Sequence, residues 1–157
     1  MQIPKFVIRK GTINDIPHAF ELVKELAIYE KALDEVENTA AQMLADGFGE
    51  TPIFEFVVAE ADGLVVGMSL YYYRYSTWKG KRLYLEDLIV SENWRGHGLG
   101  NLLFEATIEF GKQANCTGMM WQVLDWNEPA IKFYKKFNTR FDGEWLNCHI
   151  EFLKTKP

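Results

Sequence analysis

Arg95-Gly96-His97-Gly98-Leu99-Gly100 is the stretch on which the reading of this chain turns. Before it stands an apolar run, Leu83-Tyr84-Leu85-Glu86-Asp87-Leu88-Ile89-Val90, that reads as a buried strand. After it, Leu99, Leu102, Leu103, Ala106, Ile108 and Phe110 recur at helical spacing, which predicts a helix from Gly98 to about Gln113. Glycines at such a junction let backbone approach a ligand closely, and the first amides of a helix point unpaired N–H groups at an anion. The anion implied is a phosphate or pyrophosphate. A plain turn has the same composition, so the bend alone leaves both readings open. The spacing is not Gly-x-Gly-x-x-Gly and no Gly-Lys-Ser/Thr follows, so neither the dinucleotide fingerprint nor the P-loop fits.

Working outward from the bend, no repeat, low-complexity tract or Pro/Gly-rich linker divides the chain, and residues 1–157 read as one domain. Phe6-Val7-Ile8-Arg9 predicts a first strand. Thr12 followed by Asp15 fits a capping box ahead of a helix carrying Ile16, Ala19, Phe20, Val23, Leu26 and Ala27 through Tyr29. Thr39 is placed to cap a second helix ending at Gly47. Phe54 to Glu60 and Leu64 to Tyr73 predict strands joined by a tight hairpin at Ala61-Asp62-Gly63, and Trp78-Lys79-Gly80-Lys81 turns into the strand before the bend. Met119 to Leu124 returns to strand, Glu128-Pro129 opens a further helix, and Trp145 to Leu153 predicts a last strand. The class is mixed α/β, a mostly antiparallel sheet with helices.

Composition narrows the function. Of 157 residues 48% are hydrophobic, enough for a core, while 17 Lys plus Arg against 22 Asp plus Glu leave a net charge of −5. That balance opposes nucleic acid and anionic membranes as partners and permits a cationic one. No secretory leader or membrane span is expected, because Pro4, Lys5 and Arg9 interrupt the start and Leu64 to Tyr73 is too short. Cys116 and Cys148 cannot form a disulfide scaffold, so a cytoplasmic location is expected. His18, His97 and His149 lack ligand spacing, and no metal is expected. Ser69, Ser76 and Ser91 lie outside any Gly-x-Ser-x-Gly, which excludes the usual serine hydrolase. The Tyr71-Tyr72-Tyr73-Arg74-Tyr75 hairpin with Lys79, Lys81 and Arg82 has a base-stacking composition, but strand alternation accounts for it and the net charge opposes RNA.

A second motif fixes a resemblance. Arg95, Gly98 and Gly100 stand as Arg-x-x-Gly-x-Gly, and Trp126-Asn127-Glu128-Pro129-Ala130-Ile131-Lys132-Phe133-Tyr134 follows as Asn-x-x-Ala-x-x-x-Tyr. In this order they resemble the two acyl-CoA motifs of the GNAT N-acetyltransferases. Glu25-Leu26-Ala27-Ile28-Tyr29-Glu30, Asp46-Gly47-Phe48-Gly49, Ser76-Thr77-Trp78-Lys79-Gly80 and Tyr84-Leu85-Glu86-Asp87 resemble the spermidine/spermine and thialysine N-acetyltransferase branch over roughly residues 5 to 137. Three departures stand out: the hairpin at Ala61-Asp62-Gly63 is much shorter than in the animal enzymes, Asn138 replaces a frequent Gly, and only Gly143 and Trp145 match after Phe141.

The resemblance implies a GNAT fold, acetyl-CoA as cosubstrate, a small primary amine (a polyamine, a diamine or a thialysine- or lysine-like amino acid) as acceptor, and a homodimer. A non-catalytic acyl-CoA sensor and a protein N-acetyltransferase are the alternatives. Acetyl transfer needs a neutral amine, only about one in 10³ of which exists at pH 7 for a pKa near 10.4. It also needs donors at the carbonyl oxygen and a proton for the departing sulfur. By resemblance Tyr134 is the acid and Glu86 accepts the amine's proton through water. Leu88, Ile89 and Val90 offer backbone to the pantetheine arm. Arg95, Gly96, His97, Gly98, Leu99, Gly100 and Asn101 meet the pyrophosphate, with Asn127 on the pantetheine and Lys136 near the phosphates. Tyr29, Glu30, Trp78, Glu86 and Asp87 face the acceptor. Glu86 and Asp87, adjacent on one strand, point to opposite faces unless a bulge twists them together.

Overall fold

The computed structural model describes residues 3–152, and the chain falls into two compact units, Met1–Gln122 and Val123–Pro157. The first unit holds β1 (Phe6–Lys10), α1 (Ile16–Tyr29), α2 (Ala40–Phe48), β2 (Glu55–Ala61), β3 (Leu64–Ser76), β4 (Gly80–Val90), α3 (Leu99–Gln113) and β5 (Met119–Trp121). The second holds α4 (Glu128–Lys135). The sheet runs β1-β2-β3-β4-β5, antiparallel throughout except for the parallel β4–β5 pair.

Strand alternation divides the sheet's side chains between two helical layers. Phe56, Val58, Met68, Leu70 and Ile89 face α1 and α2, where they pack with Ile16, Ala19, Phe20, Leu22 and Met43. The opposite face takes α3. There the Ser69 and Thr107 hydroxyls bond at 2.5 Å, and a Cβ on Gly111 would stand 3.3 Å from Leu83. Helices thus flank both faces of a mostly antiparallel sheet, as expected. The β2–β3 hairpin is the two-residue turn its Asp62-Gly63 predicts, with φ of 49° and 84°.

Three differences from the sequence reading have physical reasons. Gly47 does not end α2, which continues to Phe48; the glycine is needed instead because a Cβ there would stand 2.4 Å from the Phe54 ring. β5 stops at Trp121 rather than Leu124, where the chain turns with the Asn127 N–H bonded to the Leu124 carbonyl at 3.0 Å. The last strand expected over Trp145 to Leu153 is absent among the described residues, Leu153 lying outside them. Alternating apolar residues form a strand only where an edge accepts their ladder, and residues 145–152 pair with none.

An ion pair the periodicity did not announce fixes the start of α1. Asp15, 5% exposed, takes the Thr12 N–H at 2.7 Å and both guanidinium arms of Arg9 at 2.7 and 2.9 Å, while Arg9 Nε reaches Glu60 at 2.8 Å. The Arg9 guanidinium holds the Asp15 carboxyl at about 2 against burial, which acts the other way. That stabilisation is present above the ordinary carboxylate value and is lost as pH falls from about 4 through about 2. Arg9→Ala is expected to cost about 1–3 kcal/mol at pH 7, the penalty of leaving the buried Asp15 carboxylate without its main hydrogen-bond donor. Urea titrations at pH 7 and pH 3 check it; an equal loss at both values would argue against the pairing.

Candidate active site

β4 carries both halves of the site. Its pairing with β3 slips between Leu70 and Tyr71: Leu70 faces Asp87 and Tyr71 faces Leu85, so Glu86 is the bulged residue. The bulge cancels the alternation. Glu86 and Asp87 both line a cleft of about 200 Å³ walled by Phe20 and Val23 of α1, Met43 of α2, Phe54 and Leu70. The Tyr72 hydroxyl donates to Glu86 Oε2 at 3.1 Å. Asp87 sits deeper. Burial first, then the charges of Glu86 and Glu30, push its carboxyl up to about 7. Burial likewise raises Glu30. The three carboxylates repel one another; the bulge brings Glu86 beside Asp87, and Glu30 comes from the end of α1.

Further along, β5 ends opposite Leu85, so no β5 partner flanks β4 from Glu86 to Val90. The peptide groups of Leu88 and Ile89 that point away from β3 therefore lie on an open edge. Val90 is different, because its carbonyl already accepts Arg95 Nε at 3.0 Å. Beyond the strand Gly96 and Gly98 adopt φ of 82° and 78°, which glycine alone adopts cheaply. Nothing lies within 4 Å of where a Cβ on either would stand, so the bend opens on free space that a side chain would fill. Gly98 caps α3, and the amides of Leu99, Gly100 and Asn101 precede the first helical bond, Leu102 N–H to the Gly98 carbonyl at 3.1 Å. The bend thus combines open space with three helix amides that lack an intrahelical partner.

α1 holds this bend. Glu25 accepts the Glu92 N–H at 2.9 Å and the Ser91 hydroxyl at 3.1 Å. One turn later the Arg95 guanidinium lies 5.3 Å from the Tyr29 ring centroid. Sequence reasoning did not single out Glu25; its i,i+4 spacing from Tyr29 was the available signal. His97 packs against Phe6, ring centroids 5.8 Å apart.

The expected acceptor residues are only partly gathered. Glu30, Glu86 and Asp87 interact, whereas Tyr29 is engaged with Arg95. Trp78, 86% exposed, sits in the β3–β4 turn, outside the cleft. In the second unit Asn127 caps α4, its Oδ1 accepting the Ala130 N–H at 3.2 Å, with Pro129 in the first turn. Tyr134 is buried, its ring edge-on to Phe133 at 5.4 Å and its carbonyl bonded by the Thr139 hydroxyl at 2.6 Å. Lys136 lies over the Phe133 ring at 5.3 Å. Asn138 takes φ 56°, the left-handed value that lets Asn stand for Gly. No group of three or more potential metal ligands occurs among the described residues.

Comparison with known proteins gives this geometry a context. Residues 19–138 match the profile of the acetyltransferase (GNAT) family. A thialysine N-epsilon-acetyltransferase of Bos taurus is 41% identical over 152 residues, covering 90% of this chain and 89% of that protein. Spermidine/spermine N(1)-acetyltransferase-like protein 1 of Homo sapiens is 38% identical over 136 residues, 82% of this chain and 20% of that longer protein. Among solved structures, an aminoglycoside N-acetyltransferase in complex with CoA superposes with a TM-score of 0.77 at 18% identity, covering 96% of this chain and 98% of that one, a likeness of fold.

Proposed function

We infer the activity from one premise: the chain belongs to the acetyltransferase (GNAT) family. It is an acetyl-CoA-dependent N-acetyltransferase that acetylates an amine of a cationic substrate. The observation that carries the site is the run of β4, with a carboxylate pair at its bulge, an open backbone edge beyond, and an anion cradle just past its end. The finer acceptor is a primary amine of a polyamine or diamine, or of a thialysine- or lysine-like amino acid, as the names of the bovine and human relatives suggest.

The residues divide the work as follows. Gly96 to Asn101 hold the diphosphate of acetyl-CoA with their amides, Arg95 adding charge, while Leu88 and Ile89 hold the pantetheine arm by backbone and the Val90 carbonyl anchors Arg95. Asn127 and Lys136 assist from α4. When bound, acetyl-CoA supplies the acetyl thioester. Glu30, Glu86 and Asp87 draw in the ammonium, while Tyr29 packs against Arg95 and Trp78 lies outside the cleft. Asp87, whose carboxyl is pushed up to about 7 by burial, takes the amine's proton with Glu86, directly or through water. Tyr134 gives a proton to the sulfur that leaves. Attack is direct, within a ternary complex. The Asn127-to-Tyr134 spacing and the branch resemblance support the α4 roles.

Both units act as one domain in this reading, because the family match runs across their boundary. A homodimer follows from the resemblance, and a cytoplasmic location from the reduced-cysteine composition. No helix among the described residues is long and apolar enough to cross a membrane. The test is a panel of diamines, polyamines, basic amino acids and an α-amino peptide, incubated with acetyl-CoA while free thiol is followed. Release with the small amines and not the peptide is expected. Binding of acetyl-CoA with no thiol from any amine would leave the sensor reading in place.

A further inference from the structure

From the carboxylate pair the sheet face continues outward along the β3–β4 hairpin. Tyr72 and Tyr84 stand directly opposite on the two strands, ring centroids 5.3 Å apart and tilted by 31°. Tyr72 holds Glu86, so this platform begins at the cleft's rim. Two residues further out on each strand, Arg74 faces Arg82. Like charges directly opposite on antiparallel strands destabilise the pair. Among the described residues neither arginine makes an ion pair. Arg74 instead folds back, its guanidinium 5.8 Å from the Tyr84 centroid and Nη1 3.0 Å from Met120 Sδ. Arg82 lies over Gly118, where a Cβ would stand 2.2 Å from its Nη1. The glycine makes room for it.

The geometry points to Arg74 and Arg82 as an anion subsite that recognises a carboxylate at the far end of the acceptor. This rests on the acceptor's amine lying at Glu86 and Asp87. The order along one face is acid, aromatic, base. A diamine or polyamine would bring a second ammonium against two guanidiniums, whereas an amino acid with a terminal amine satisfies both ends. The reach agrees for Arg74, which folds back to Tyr84, two residues from Glu86 and roughly 7 Å at about 3.4 Å per residue; Arg82, over Gly118, backs it from further out with a second positive charge. An extended chain of lysine's length covers that distance. Guanidinium is the fitting group, because its planar fork meets a carboxylate with two parallel bonds.

Calorimetry with CoA present separates the cases, using S-(2-aminoethyl)cysteine and the diamine left when its carboxylate is removed. The wild-type protein is expected to bind the amino acid at least tenfold more tightly. In R74Q/R82Q that preference collapses to within threefold. Arg74→Glu inverts it by strengthening diamine binding, a gain that a misfolded protein cannot show. Equal affinities in the wild type, a preference that survives R74Q/R82Q, or no binding of either probe overturns the subsite. A parallel assay of thiol release from acetyl-CoA keeps the two readings apart. A preference in binding with no release from either amine overturns acetyl transfer and leaves the subsite standing; release without preference does the reverse.

Discussion

Asp87→Asn is expected to lower turnover by about 10²–10³-fold, the range of a lost general base, with the KM for acetyl-CoA nearly unchanged. Asp87 is the group whose surroundings suit the task. Burial and the charges of Glu86 and Glu30 raise it to about 7, far closer to an amine's own value than a solvated carboxylate lies. In the wild type kcat/KM should climb as pH rises through about 7, where the carboxyl loses its proton. A bound ammonium stabilises the carboxylate, so the same limb in kcat should lie at lower pH. The substitution also reports on stability. Between the ordinary value of 3.8 and about 7 the folded protein keeps a proton that the unfolded chain has released, so wild-type stability falls across that interval. The neutral amide escapes this loss. Asp87→Asn should unfold with the wild type at pH 4 and be more stable at pH 8, by on the order of 2–4 kcal/mol. Denaturant titrations at the two pH values decide it, and an equal gap at both would mean that the carboxyl is not perturbed.

Tyr134→Phe should reduce kcat at least tenfold and by as much as 10²–10³-fold, the cost of removing an acid from a thiolate's departure. Phenylalanine keeps the ring that packs edge-on to Phe133, so the fold and the KM for acetyl-CoA should change little. A second readout distinguishes proton donation from packing. Replacing CoA by an acetyl donor whose thiol is more acidic makes a proton at sulfur less necessary, and the defect should shrink. An unchanged kcat, or a defect of the same size with both donors, would take Tyr134 out of that role.

The element order was legible in the chain wherever a local rule sets the structure. Asp62-Gly63 can adopt the left-handed pair that a two-residue hairpin needs, and the chain builds that hairpin. Pro129 and Asn127 start α4 where a missing N–H costs nothing and a side-chain oxygen replaces the lost backbone partner. Gly47 shows where local rules mislead: its lack of a side chain serves the Phe54 ring rather than a helix end. The stretch from Trp145 misleads in another way, since alternation describes a strand's faces and not whether an edge receives it.

Glycines at a strand–helix junction and Glu128-Pro129 were enough to place the bend and α4, because both depend on backbone within a few residues. Nothing in the order Glu86-Asp87 says that the two carboxylates share a cleft. That follows from a one-residue slip in the pairing of β3 and β4, which leaves Glu86 without a partner opposite. Arg9 on Asp15, Glu25 on the bend and Arg74 opposite Arg82 are contacts of the same kind. Short-range chemistry is written in neighbouring residues. Charge met across strands exists only after the register is chosen, and the packing of the whole sheet chooses it.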